Sequence, residues 1–166
     1  MPIQFFRADS ASPVKPADWA LLRKELDDSI GVAIAARGIG KKWAYAADIV
    51  RLSKRNADYV SDPYSLGAAA LRNSKKKVGD PAPSAVVNNV RSLIALGDSR
   101  YALIPVDFWF SNTGGVIRPV LHIVLLDGRG AQLVWFADVA GDPGTKFASA
   151  EVGAFAQRIA DLVAVR

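Results

Sequence analysis

The 166-residue sequence predicts an α/β (α+β) fold: a mixed sheet ending in an antiparallel three-stranded meander, with helices packed on one or both faces. Three observations predict it. Runs rich in Val, Ile and aromatics at 101–110, 116–126 and 131–139 are separated only by short Gly-bearing turns, which forces them to be antiparallel neighbours. Before and after them, apolar residues recur at three- and four-residue steps, the mark of helices with one buried face. On the middle run, Leu121, Ile123 and Leu125 lie to one side and Val120, Val124 and Leu126 to the other. Both faces therefore need cover, from helices on both sides or from helices on one and a partner on the other.

Residues 3–6 form a short apolar run that reads as a first strand, followed at 7–15 by turn chemistry with Asp9, Ser10, Ser12 and Pro13. Pro16 suits the first position of a helix and Asp18 its positive end. Trp19, Leu22, Leu26, Ile30, Ala33 and Ile34 give that helix its inward face, and Gly38 is placed to cap it in a left-handed conformation. A second helix is expected over 43–54 with Trp43, Ala46, Ala47, Ile49 and Val50 inward, then a loop at 56–63 and two helical turns at 65–72. Residues 73–84 hold Lys75, Lys76, Lys77, Gly79, Pro81 and Pro83, the most loop-like and mobile stretch within a single domain spanning 1–166. Ser84 is read as the cap of a helix that buries Val87, Val90, Leu93 and Ile94 and ends at Gly97. Turns at 111–115 and 127–130 separate the three strands. Residues 141–144 break the pattern, and Ser149 is read as the cap of a last helix burying Val152, Phe155, Ile159, Leu162 and Val163.

Composition excludes several chemistries. The sequence has no Cys, which removes disulfides, thiolate nucleophiles and Cys-based zinc sites. A net charge of +5 permits an anionic partner without demanding one. The first residues show no signal-peptide pattern, and no apolar run approaches the roughly 20 residues of a membrane span. Membrane association is expected only through a segment outside this sequence.

His122 is the only histidine. As a catalytic base it would need a nucleophile, Ser111 or Ser99, and an orienting carboxylate, Asp107 or Asp138. Its place amid apolar strand residues, with no Gly-x-Ser-x-Gly turn, favours a hydrogen-bonded structural histidine, so no catalytic residue is assigned. No metal site is expected: the remaining ligands are carboxylates, and Asp107, Asp127, Asp138 and Asp142 lack calcium-loop spacing. No cofactor is expected either, since Gly38 to Lys42 lacks the spacing of a phosphate-binding loop.

Two groups remain as candidate binding residues. Lys75, Lys76 and Lys77, with Arg72, Lys41, Lys42, Lys54 and Arg55, offer a basic surface. The aromatics cluster in the strands instead, mostly at positions that read as core, so nucleic acid is disfavoured and solvated loop charge is the simpler reading. The second group is aromatic. Alternation puts Ile104, Val106, Phe108 and Phe110 on one side and Asp107 and Trp109 on the other. Trp109 with Trp135 or Phe136, whichever the register brings alongside, is then either core or an apolar interaction patch.

Residues 95–103 run Ala-Leu-Gly-Asp-Ser-Arg-Tyr-Ala-Leu, and residues 121–135 form a hairpin with Asp127, a Gly turn and Trp135 on the outgoing strand. These stretches resemble bacterial envelope domains of the TolB N-terminal, CsgG and LpoB lipoprotein type. The resemblance implies a periplasmic or outer-membrane-associated domain with no catalytic residues to carry over. The expectation is thus a non-enzymatic binding or assembly domain of the cell envelope, acting through a protein partner or self-association. Two alternatives stand beside it: a small hydrolase using His122 with a nearby Ser, and an anion binder using the Lys75–Lys77 loop. Outside the envelope, the compartment would be the cytoplasm.

Overall fold

The computed structural model describes residues 1–7, 12–39, 43–72 and 75–165, so the expected turn residues Asp9 and Ser10, and Gly40, Lys41 and Lys42, lie outside the described residues. Its organising element is a four-stranded mixed sheet in the order β1-β2-β3-β4. The strands are β1 (Phe5–Phe6), β2 (Tyr101–Thr113), β3 (Val116–Asp127) and β4 (Gln132–Ala140). The helices are α1 (Trp19–Ile34), α2 (Ala46–Arg55), α3 (Ser84–Leu96) and α4 (Ser149–Ala164), with single tight turns at Pro16–Asp18 and Ala68–Arg72. The meander is antiparallel, and β1 joins it parallel to β2, which needs the long helical crossover between them.

Helices cover both faces of the sheet. On one side Leu22, Leu26 and Ile30 of α1 and Phe155 and Ile159 of α4 bury Phe108, Phe110, Leu121 and Ile123. On the other, Val86, Val90 and Leu93 of α3, Ile49 of α2 and Leu66 and Leu71 bury Ile104, Val106, Val124 and Leu126. That explains why both faces of β3 are apolar along its middle apart from His122.

Two bulges decide which residues meet. Pro105 pairs with Ile123 but Asp107 with His122, so Val106 is an extra residue on β2. Unbroken alternation is therefore corrected: Ile104 and Val106 face α3, whereas Phe108 and Phe110 face α1 and α4. Asp107 and Trp109, opposite in the pleat to Phe108 and Phe110, come onto the α3 side. On β4, Leu133 pairs with Leu126 and Trp135 with Leu125, leaving Val134 as the extra residue. Phe136 consequently packs toward α3 and Trp135 toward α1 and α4.

Element ends differ from expectation in small, explicable ways. β2 continues to Thr113, because the hairpin needs only Gly114 (φ 61°) and Gly115 (φ 84°). Both take the positive φ of a two-residue turn, and Asn112 Oδ1 accepts the Gly115 N–H at 3.0 Å. Ser84 and Ser149 are the first residues of their helices rather than caps; at α4 the Ala148 N–H is satisfied by Glu151 Oε2 at 3.0 Å. Within α2, Ile49 and Ser53 are the buried positions and Ala47 is exposed, so the expected inward face is rotated. Gly38 has φ 74°, as a left-handed cap requires, whereas Gly97 does not and Asp98 takes φ 45° instead.

Polar anchors fix the connections. Gln4 is buried; its amide donates to Pro2 O and Pro63 O, both at 2.8 Å, and its Oε1 accepts the Leu66 N–H. This ties β1 to the segment leading into Ala68–Arg72. At the β3–β4 turn, Asp127 accepts from the Arg100 guanidinium at 2.7 Å and from the N–H groups of Arg129 and Gly130. The Arg100 bond first, then the Gly130 N–H, hold its carboxyl down to about 2. In α1, Asp27 accepts the Ile3 N–H at 3.1 Å, while its Oδ2 is buried without a partner among the described residues. Burial pushes this carboxyl up to about 7.

The two carboxylates tilt stability in opposite directions with pH. Asp27 binds its proton more tightly folded than unfolded, so its contribution is full below about pH 4 and lost as pH rises through 7. Asp27→Asn is expected to remove that loss and to be the more stable protein at pH 8 by on the order of 2 kcal/mol in urea unfolding. Asp127 contributes above its ordinary value of 3.8 and loses that contribution as pH falls toward 2. Asp127→Ala is therefore expected to lower Tm at pH 7, with the difference shrinking in melts taken at pH 4, 3 and 2.

Candidate functional site

α3 covers only part of its face of the sheet. Beyond Ile104 and Val124, toward the β2–β3 hairpin, the same face carries Asp107 on β2, His122 on β3 and Asp138 on β4 in one cross-strand row. Trp109 and Phe136 flank the row, and Arg7 and Arg72 close it into a cleft of about 370 Å³.

Each arginine is positioned by the fold. Parallel pairing sets Phe5 beside Asp107, and the Arg7 N–H donates to Phe108 O at 2.8 Å, so Arg7 leaves β1 next to Asp107. Arg72 ends the tight turn that Gln4 anchors against β1. Both guanidinium groups donate to the same oxygen, Asp107 Oδ2, Arg7 through Nη2 at 2.5 Å and Arg72 through Nε at 2.9 Å. Asp107 is 1% exposed and its Oδ1 takes no bond among the described residues. Two cations on one buried carboxylate are what its desolvation demands. The guanidinium planes are further held by rings: Arg7 lies 4.5 Å from the Trp109 centroid and Arg72 5.2 Å from that of Phe5.

The opposite wall is a histidine–carboxylate pair. His122 Nδ1 lies 2.6 Å from Asp138 Oδ1, across the β3–β4 ladder, and the imidazole sits 6.4 Å from the Phe136 ring. Such a pair fixes the tautomer and leaves Nε2 to accept or donate a proton. A nucleophile is what hydrolysis would add. Ser99 donates to Gly97 O at 3.1 Å at the far end of β2, and Ser111 stands opposite Arg118 in the hairpin. Neither lines the cleft, and among the described residues no hydroxyl side chain does.

Of the residues expected from sequence, Trp109 and Phe136 come together here and Trp135 does not, being on the other face. Lys75, Lys76 and Lys77 precede α3, with the Lys77 N–H on Asp80 Oδ2 at 2.8 Å, and they do not line the cleft. Arg7 was missed as a site residue, and Arg72 was noted only as surface charge. The available signal was Asp107 itself: a carboxylate inside an otherwise apolar strand run calls for cationic partners elsewhere in the chain. Among the described residues no three acidic or histidine side chains gather as a metal site, and no helix is long and apolar enough to cross a membrane. Compared with protein-family models, curated proteins and solved structures, the chain matches none.

Removing Arg72 leaves the buried Asp107 paired with Arg7 alone and takes away one of the two hydrogen bonds to its Oδ2. Arg72→Ala is expected to cost about 1–3 kcal/mol in urea unfolding, less than a fully buried pair because Arg72 is partly exposed.

Proposed function

We propose that the chain is a non-enzymatic binding domain of a bacterial cell-envelope protein, acting through protein–protein contacts made at this cleft. The observation that carries the reading is the part of the sheet that α3 leaves open. It presents half-buried Trp109 and Phe136 beside two arginines locked on a buried carboxylate. Aromatic and Arg side chains held in fixed geometry are the anchors from which protein interfaces draw most of their energy. The envelope placement rests on the resemblance of residues 95–103 and 121–135 to domains of the TolB, CsgG and LpoB type.

A second reading has one observation in its favour. The His122–Asp138 bond orients an imidazole as a hydrolase base would. The binding reading is preferred because the cleft's described residues supply anchors but no nucleophile.

Selection of peptides on the immobilised protein tests the proposal. Binding of the selected peptides is expected to fall at least about tenfold in Phe136→Ala and Trp109→Ala, the loss usual for a truncated anchor. It is expected to persist when Lys75, Lys76 and Lys77 are all Ala. Peptides that depend on the lysines alone, or turnover of aryl esters that disappears in His122→Ala, would overturn the reading. Light scattering with and without selected peptide separates a second copy of the chain from a different partner.

A further inference from the structure

We infer that the cleft recognises a peptide carboxylate flanked by an apolar residue; this rests on reading the cleft as a protein-binding site. The floor carries two guanidinium charges against the single carboxylate of Asp107. On the floor that leaves one positive charge in excess, which the His122-bonded carboxylate of Asp138 on the opposite wall offsets for the cleft as a whole, so the arginine side suits one negative charge rather than two. The donors needed to hold it are present. Asp107 uses one N–H of each arginine, and among the described residues no other acceptor takes the remaining N–H groups. Both side chains stay open to solvent, Arg7 at 45% and Arg72 at 38% exposure.

Geometry makes these donors a receptor rather than loose surface charge. Because both guanidinium groups bond the same oxygen, they lie close enough for one incoming carboxylate to meet both. Their mutual repulsion falls as the second anion arrives. Stacking on Trp109 and Phe5 fixes their planes before binding, which lowers the ordering cost of a bidentate contact.

The walls narrow the ligand further. Trp109 and Phe136 offer apolar surface beside the arginines, suited to a residue adjacent to the acid. Asp138 adds a carboxylate, with Oδ2 free of hydrogen bonds among the described residues. That oxygen accepts a peptide N–H but repels a phosphate dianion. A singly charged carboxylate on a peptide backbone satisfies all three features.

Four probes separate the outcomes: acetyl-Phe-Glu amide, acetyl-Phe-Gln amide, acetyl-Phe-Gln with a free carboxyl end, and phenyl phosphate. Each is titrated against the protein while the Trp109 indole and His122 ring signals are followed by NMR. The Glu peptide is expected to move both signals and to bind at least about tenfold more tightly than its Gln amide, as one charge-assisted bidentate contact allows. Arg7→Lys and Arg72→Lys, which keep the charge over Asp107 but lose the planar fork, are each expected to weaken the Glu peptide severalfold more than the Gln amide. Tighter binding of the Glu amide assigns the carboxylate to a side chain, and tighter binding of the free-ended peptide to a chain terminus. Equal binding of all three peptides at Trp109 overturns the carboxylate inference and leaves the cleft reading standing. Phenyl phosphate binding more tightly than either acid overturns the inference too. Shifts confined to residues outside the cleft, or none at millimolar peptide, overturn both.

Discussion

Asp107 sits on a central strand with its side chain almost wholly out of water, and an ionised carboxylate in that position is tolerated only with cations against it. The two that compensate it come from chain segments far away in sequence, Arg7 from the end of β1 and Arg72 from the turn before α3. One oxygen atom thereby holds three parts of the chain together at the point where the second helical layer stops. β1 is only two residues long, so this ion cluster and the Gln4 amide network help to hold it in the sheet. The same cluster forms the floor of the cleft.

Both bulges act on this arrangement. Were alternation unbroken through Val106, Asp107 would face α1 and α4, where Phe108 now packs against Phe147 and Phe155. No cation from the Ala68–Arg72 turn would reach it there. Were alternation unbroken through Val134, Phe136 would exchange faces with Trp135 and leave the cleft without its second aromatic. Single-residue slips in two strands thus assemble Asp107, Trp109, His122 and Phe136 on one face, a grouping that strict alternation separates.

The two helical layers differ in reach. α1 and α4 run along their face and share a core with four packed phenylalanines, Phe108, Phe110, Phe147 and Phe155. α3 is shorter, and its layer is completed by the irregular segment around Leu66 and Leu71. A layer made partly of loop leaves sheet surface uncovered at its margin, and there the exposed polar and aromatic groups of three strands adjoin. The residual opening follows from the lengths of the elements.

Local sequence determined the three meander strands, the two-glycine hairpin, the helices at 84–96 and 149–164 and the need to cover both faces of β3. Each follows from near-neighbour chemistry: side-chain period, positive-φ glycines and apolar stripes. His122 was legible as a hydrogen-bonded strand residue, and Asp138 as one of its two possible partners. Tertiary structure alone decided the rest. Which carboxylate meets the imidazole, whether Phe136 or Trp135 joins Trp109, and which arginines neutralise Asp107 depend on register, on two bulges and on a parallel pairing across a hundred residues. A bulge leaves little trace in composition, because the inserted Val106 and Val134 are as apolar as the strands around them. Long-range pairings are set by the packing of the whole chain, and no window of sequence contains both halves of the contact.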